Sequence, residues 1–260
     1  MSLFKNSSSS GKKLDFIIAG TQKAGTSAIH YYLKQHPEIA LGIKKELQYF
    51  DNEEIFKKGQ PDYSLLHKQI LQVQGSKISG ECTPTYMYWI PAMRRIWEYN
   101  PEIKIIIILR NPVVRAYSQW NMFKTKGIMG VDFGDYILRE QELARRDLPL
   151  QSRVCSCIDR GFYSEQLRRI FMFFKKENVL ILKYEDFKVN QLEGITAILK
   201  FLGVNPALLK FTQEQVNSSE YTSQMTVKEQ EVLLELYKNE IPEVERILGW
   251  NCEDWKLIQK

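Results

Sequence analysis

The chain has 260 residues, 44% of them hydrophobic, 26% charged and 12% aromatic, a size and balance that fit one α/β domain with a core needing no disulfide or metal staple. Lys plus Arg number 36 against 31 Asp plus Glu, a net charge of +5, and so mild an excess suits an anionic ligand as readily as a nucleic-acid surface. The longest aliphatic run, Ile105 to Leu109, is far short of the ~20 residues of a membrane helix, and the polar start around Ser7 to Ser10 has no secretory apolar core, so the expectation is a cytoplasmic protein without an anchor.

In chain order, residues 1–13 are polar and Ser-rich and read as a disordered leader, leaving 14–260 as a single domain. Leu14 to Gly20 is a short apolar run closed by glycine, the pattern of a buried strand. Thr26 to Gln35 places Ala28, Ile29, Tyr32 and Leu33 on one helical face and stops at His36-Pro37. The same unit returns at Lys104 to Leu109, a β-branched run typical of a central parallel strand, followed by a helix from Val113 to Lys124. A helix from Ser164 to Lys175 precedes a third buried-strand candidate, Val179 to Leu182, and a helix from Ile195 to Leu202 closes at Gly203. Two more helices, Thr226 to Leu236 and Pro242 to Leu248, finish the chain. Strands alternating with helices predict a three-layer, P-loop-like α/β domain with a central, mainly parallel sheet. Gly127 to Asp159 reads as irregular, with the character of a lid.

Gly20-Thr21-Gln22-Lys23-Ala24-Gly25-Thr26-Ser27 joins the first strand to the first helix, the place where backbone N–H groups and a helix N-terminus hold a phosphate. Its spacing echoes the nucleotide-binding G-x-x-x-x-G-K-[ST] loop, but the lysine has moved inside, to Lys23, and Thr26 stands in the usual lysine position. A nucleoside triphosphatase also needs a strand-end carboxylate for Mg²⁺, and here the candidate strand ends in Arg110. The loop therefore suits a phosphate met by lysine and hydroxyls, with no metal. Arg110 emerges at the carboxyl edge of the sheet, where α/β proteins bind ligands, and Ser118 lies two turns into the next helix. Together they can bind a second, separate phosphate.

Three segments carry a resemblance: Thr21 to Ser27, Leu109-Arg110-Asn111-Pro112-Val113-Val114-Arg115-Ala116-Tyr117-Ser118, and Gly80-Glu81-Cys82-Thr83-Pro84-Thr85-Tyr86. They resemble the sulfotransferase family, more narrowly its heparan-sulfate-type branch and the bacterial enzymes that decorate natural products. The resemblance implies a cosubstrate, 3′-phosphoadenosine 5′-phosphosulfate (PAPS), with Gln22, Lys23, Ala24, Gly25, Thr26 and Ser27 on its 5′-phosphosulfate and Arg110 and Ser118 on its 3′-phosphate. Tyr163, within Arg160-Gly161-Phe162-Tyr163, resembles a family tyrosine that approaches the nucleotide. The late Arg-Lys-Gly stretch of other branches has no match at Asn217-Ser218-Ser219-Glu220.

Sulfuryl transfer needs a base for the acceptor proton and positive charge on the departing oxygen. Lys23 suits the second role. For the first, Lys44 to Asp51 resembles the family's Lys-Glu-x-His-Phe-Phe pattern, which implies Glu46 as base; Gln48 stands where that branch often has histidine, and Cys82 where relatives often have lysine. A simpler reading of Glu46 is a surface carboxylate paired with Lys44 or Lys45. His30 reads as a packed or rim residue, Arg145-Arg146 as a solvated face, and Tyr86, Tyr88 and Trp89 as core aromatics. Three histidines far from the Cys155-x-Cys157 pair argue against a zinc site, and reduced thiols are expected. The expected function is sulfuryl transfer from PAPS to a hydroxyl, less readily an amine, of a small-molecule acceptor in natural-product tailoring, with no nucleic acid or membrane partner. The competing readings are a P-loop kinase, marked by dependence on Mg²⁺ and ATP, and a nucleotide- or RNA-binding module, marked by steep salt dependence.

Overall fold

A computed structural model describes residues 12–57, 59–212 and 223–258. The expected leader falls almost wholly outside the described residues, and so does Asn217 to Glu220. Five strands, β1 (Phe16–Gly20), β2 (Ile39–Leu41), β3 (Ile78–Cys82), β4 (Lys104–Leu109) and β5 (Val179–Lys183), form one sheet in the order β2-β3-β1-β4-β5. Every pairing is parallel. The helices are α1 (Thr26–Lys34), the short α2 (Glu53–Phe56) and α3 (Ser64–His67), α4 (Ile90–Tyr99), α5 (Pro112–Thr125), α6 (Phe133–Ala144), α7 (Tyr163–Phe173), α8 (Tyr184–Val189), α9 (Gln191–Leu202), α10 (Val227–Tyr237) and α11 (Glu240–Leu248).

Period-two alternation along the central strands builds the three layers. Ile17, Ile105 and Ile107 face a core shared with α4, α5 and α7, whereas Phe16, Ile18, Ile106 and Ile108 face a second core under α1 and α9. Both faces of β1 and β4 are thus covered, which is why their sequences are continuously apolar.

Three features differ from the sequence expectation. β5 is an edge strand, half-buried along its whole length, because the strand order leaves it only β4 as a neighbour. β2 and β3 were not anticipated: the apolar run of β2 is only three residues, Ile39-Ala40-Leu41, and β3 contains Ser79, Gly80 and Glu81 and takes its extended form from pairing between β1 and β2. Gly80 has a steric reason to be there, since a Cβ would come within 2.5 Å of the Phe16 ring. The segment from Gly127 to Asp159 is not irregular throughout: α6 buries Phe133, Tyr136 and Glu140, and the Glu140 carboxylate accepts the N–H groups of Ile158 and Asp159 at 2.7 Å each. That clamp ties α6 to the end of the segment, leaving exposed chain between them around Arg145 to Leu150. Among the described residues, no helix is long and apolar enough to cross a membrane.

Candidate functional site

A parallel sheet sends all its strand ends to one edge, and the ends of β3, β1 and β4 lie side by side there. The chain leaves β1 toward β2 on one side and later returns to β4 on the other, so the gap between β1 and β4 is a topological switch point. The loop after β1 and Arg110 after β4 meet in that gap: Arg110 Nη1 donates to the Lys23 carbonyl at 3.0 Å, and its guanidinium lies over the Tyr184 ring, 4.8 Å from the centroid. Two features that looked independent in sequence therefore form one wall.

The loop is shaped for an anion. Gly25, the N-cap of α1, has φ 93° and offers no side-chain cap to the first turn, so helical N–H groups there lack an internal acceptor and the positive end of the helix faces the loop. Gly25 also lets the chain pass the Tyr184 ring, which a Cβ would approach to 3.1 Å. Lys23 is held at φ 70°, a left-handed conformation uncommon outside glycine and of the kind found at ligand clamps. Ala24 and Thr26 are buried, while Gln22, Lys23, Gly25 and Ser27 are part-exposed.

Beside the loop stands a cation that sequence reading missed. Arg160 is buried, yet among the described residues no carboxylate pairs with it; it donates to Ser156 Oγ (2.9 Å), Gln22 Oε1 (3.0 Å) and the Arg153 carbonyl (3.1 Å). Burial pulls its guanidinium down to about 10, still charged at neutral pH. A buried charge with only neutral partners is costly, and an anion on the adjacent loop would compensate it. The Arg160-Gly161-Phe162-Tyr163 segment was the local signal, but it was used only for Tyr163, because the environment of Arg160 comes from residues far apart in the chain.

Tyr163 is fully buried and donates its hydroxyl to the Arg110 carbonyl at 2.7 Å; it supports Arg110 from beneath. Ser118 is buried on α5, whose N-cap Asn111 accepts the N–H of Val113 at 2.9 Å.

Glu46 lies beside the carboxyl end of β3 at φ 64°, with Gln48 at φ 54°. Its carboxylate is 2.8 Å from Lys45 Nζ, so the simple pairing is present, both side chains remaining part-exposed. Its N–H donates to the Cys82 carbonyl at 2.8 Å. The rest of this loop rests on the Gly80 to Tyr86 segment: Thr83 Oγ1 accepts from Gln48 N at 3.3 Å, and Tyr86 Oη accepts from Tyr49 N at 2.9 Å and Phe50 N at 3.3 Å. Under that platform Glu81 accepts the Thr83 hydroxyl at 2.8 Å. Burial pushes its carboxyl up to about 8, with the charges of Asp51 and Glu46 adding to the rise.

The remaining singled-out residues take structural places. Tyr86, Tyr88 and Trp89 are buried. His36 bridges to the Asn205 carbonyl at 3.0 Å. Burial, then Lys45 and Lys34, lowers the His30 imidazole to about 4. Arg145 and Arg146 are exposed. The four cysteines are free, and burial raises the Cys82 thiol. Among the described residues no group of three or more His, Cys, Asp or Glu could hold a metal.

Comparison with known proteins agrees with this geometry. The family described as "Sulfotransferase domain" matches residues 13–256. The human bifunctional heparan sulfate N-deacetylase/N-sulfotransferase 2 is 29% identical over 201 residues, which are 74% of this chain and 22% of that protein; the chain thus spans about a fifth of that relative's length. Human heparan sulfate glucosamine 3-O-sulfotransferase 6 is 29% identical over 192 residues, 72% of this chain and 52% of the relative. Among solved structures, a sulfotransferase from Alicyclobacillus acidocaldarius superposes with a TM-score of 0.81 at 23% identity, covering 95% of this chain and 100% of the other. Mouse sulfotransferase SULT7A1, solved with 3′-phosphoadenosine 5′-phosphate (PAP), shares the fold at a TM-score of 0.53 and 16% identity, covering 92% and 88%.

Proposed function

Because the chain belongs to the sulfotransferase family, whose donor is PAPS, we propose that it moves a sulfuryl group to a hydroxyl, less readily an amine, of a small-molecule acceptor, in the manner of natural-product tailoring. In this reading Gln22 to Ser27 hold the 5′-phosphosulfate and Arg110 with Ser118 the 3′-phosphate. The observation that carries it is the wall formed by Lys23 and Arg110, joined by a 3.0 Å hydrogen bond at the uncapped N-terminus of α1.

The donor, when bound, supplies the sulfuryl group and departs as PAP. Glu46, oriented by Lys45 and by its backbone bond to Cys82, takes the proton of the attacking hydroxyl as the new O–S bond forms. Lys23 and the N–H groups at the start of α1 meet the charge that collects on the phosphate as the old S–O bond breaks. Tyr163 holds Arg110 in place, and the Thr83 and Tyr86 hydroxyls hold the Glu46 loop. Hydrogen bonds that hold Arg110 and the Glu46 loop in the folded chain support this reading.

Thermal unfolding with added PAP, and separately with ATP and Mg²⁺, tests this reading. PAP is expected to raise the midpoint well above the effect of ATP, and incubation with PAPS and a hydroxyl-compound library is expected to yield products heavier by SO₃. A shift specific to ATP with Mg²⁺, with no product gaining SO₃, would favour the kinase reading.

A further inference from the structure

Several arginines packed into this fold hold a carboxylate: Arg95 meets Glu53 at 2.7 Å, Arg153 meets Asp51 at 2.8 Å and Arg169 meets Glu165 at 2.6 Å. Arg160 has no such partner among the described residues, yet its Nη1 reaches the side chain of Gln22, in the loop after β1, at 3.0 Å. Resting on the sulfotransferase reading above, we propose that Arg160 is a positioning residue for the donor: it fixes which end of the Gln22 amide is offered to the 5′-phosphosulfate, and its own charge is met by that anion.

Geometry comes first. Nε of Arg160 donates to Ser156 Oγ at 2.9 Å and Nη2 to the Arg153 carbonyl at 3.1 Å, while the guanidinium lies over the Tyr88 ring, 4.5 Å from its centroid. These contacts fix the planar fork, and Nη1 is thereby held against Gln22 Oε1. A guanidinium carries donors and no acceptor, so the amide must turn its oxygen toward Arg160. Its NH2 end makes no hydrogen bond among the described residues, and Gln22 is part-exposed. That end is a donor pair suited to an anion, whereas the opposite flip would present a carbonyl oxygen and repel it. Arg160 itself is buried and does not touch the donor; it acts through Gln22 and through its field across a low-dielectric neighbourhood.

Charge comes second. Two acids of the same region are engaged elsewhere: Asp159 accepts the Tyr88 hydroxyl at 2.7 Å, and Glu140 accepts the N–H groups of Ile158 and Asp159. Arg115 and Arg153 add like charge to the surroundings of Arg160. Gln22 answers the guanidinium with a dipole and not with a charge, so the positive field at the loop is not cancelled by this contact. A glutamate at that position would cancel it, because a buried cation gains from a paired carboxylate. Arg115 is buried without a carboxylate as well, but its partners are Gln119 and the Cys157 carbonyl, neither of them in the loop.

The test uses Gln22→Glu, Arg160→Met, Arg160→Lys and the double variant of Gln22→Glu with Arg160→Met, each followed by thermal unfolding and by PAP binding in a calorimeter. Gln22→Glu is expected to raise the unfolding midpoint by a few degrees, since the new carboxylate neutralises Arg160, while weakening PAP at least about tenfold. In the Arg160→Met background the same substitution is expected to give no such gain in midpoint. A merely structural arginine would not couple higher stability to lost ligand affinity in this way. Arg160→Met is expected to raise the Kd for PAP about tenfold, and to raise KM for PAPS by more than it lowers kcat. Arg160→Lys is expected to recover part of that loss, because it restores the charge without the planar fork. A midpoint unchanged or lowered by Gln22→Glu, a gain that persists without Arg160, or wild-type PAP affinity in both Arg160 variants would overturn the proposal. Failure of the wild-type protein to bind PAP would instead remove the parent reading, so the two failures are distinguishable.

Discussion

The loop after β1, with Arg110, and the loop that carries Glu46 are built by different means. In the first, Gln22 to Ser27 form one continuous stretch into a helix N-terminus, and Arg110 is the first residue past β4; strand ends and backbone groups do most of the positioning. In the second, Glu46 to Asn52 lead into α2 through two left-handed residues, held by hydroxyls from Thr83 and Tyr86 and faced by Arg153, 102 residues away from Asp51. The first arrangement follows from the sheet itself. The second depends on side chains meeting across the fold, so it can change its charge and shape without disturbing the first.

This contrast can be broken most directly at the base. Glu46→Gln is expected to lower kcat by about 10²–10⁴-fold, the usual range for a general base, with the PAP-induced thermal shift intact; unchanged kcat would remove Glu46 from the chemistry. Lys23→Ala, in the other loop, is expected to cost about 10²–10³-fold in turnover with normal folding, and full activity would sever the loop from the reaction. Tyr163→Phe sharpens the comparison at smaller scale. It leaves the part-buried Arg110 carbonyl without that donor, worth about 1 kcal/mol, and is expected to weaken PAP binding a few-fold by calorimetry while kcat hardly moves; an equal loss in kcat would tie Tyr163 to the chemical step instead.

A separate effect concerns stability alone. The Glu81 carboxyl sits at about 8 in the folded protein against an ordinary 4.5, so between those values the folded state keeps a proton that the unfolded chain releases. Stability from this group is therefore present at low pH and is lost as pH rises through that window. Glu81→Gln is expected to flatten that slope in urea unfolding followed from the lower to the upper end of the window; an unaltered slope would mean that Glu81 ionises normally beneath the Glu46 loop.

Some of this was legible beforehand for a definite reason. A strand covered on both faces must be apolar throughout, so β1 and β4 stand out as runs, and the glycine-bearing turn and Asn111-Pro112 mark where helices begin. β3 carried no such mark, because Gly80 is set by the Phe16 ring above it and Glu81 by the Thr83 hydroxyl. The spacing of Phe133, Tyr136 and Glu140 was a helical signal inside a stretch that looked irregular; a buried glutamate hid it, since its purpose, holding the Ile158 and Asp159 N–H groups, lies elsewhere in the chain.

The amino-acid order by itself determined the parallel α/β plan, the glycine-bearing loop after β1 and the guanidinium after β4, because each is a short-range consequence of periodicity, glycine and strand ends. Only the tertiary structure decided that Arg160 lies against Gln22 with no carboxylate partner among the described residues, that hydroxyls of Thr83 and Tyr86 support the Glu46 loop, and that Asp51 and Glu53 each meet an arginine from elsewhere in the chain. Those facts depend on which distant side chains share a low-dielectric space, and charge and hydrogen bonding there are properties of the assembled neighbourhood, not of any segment within it.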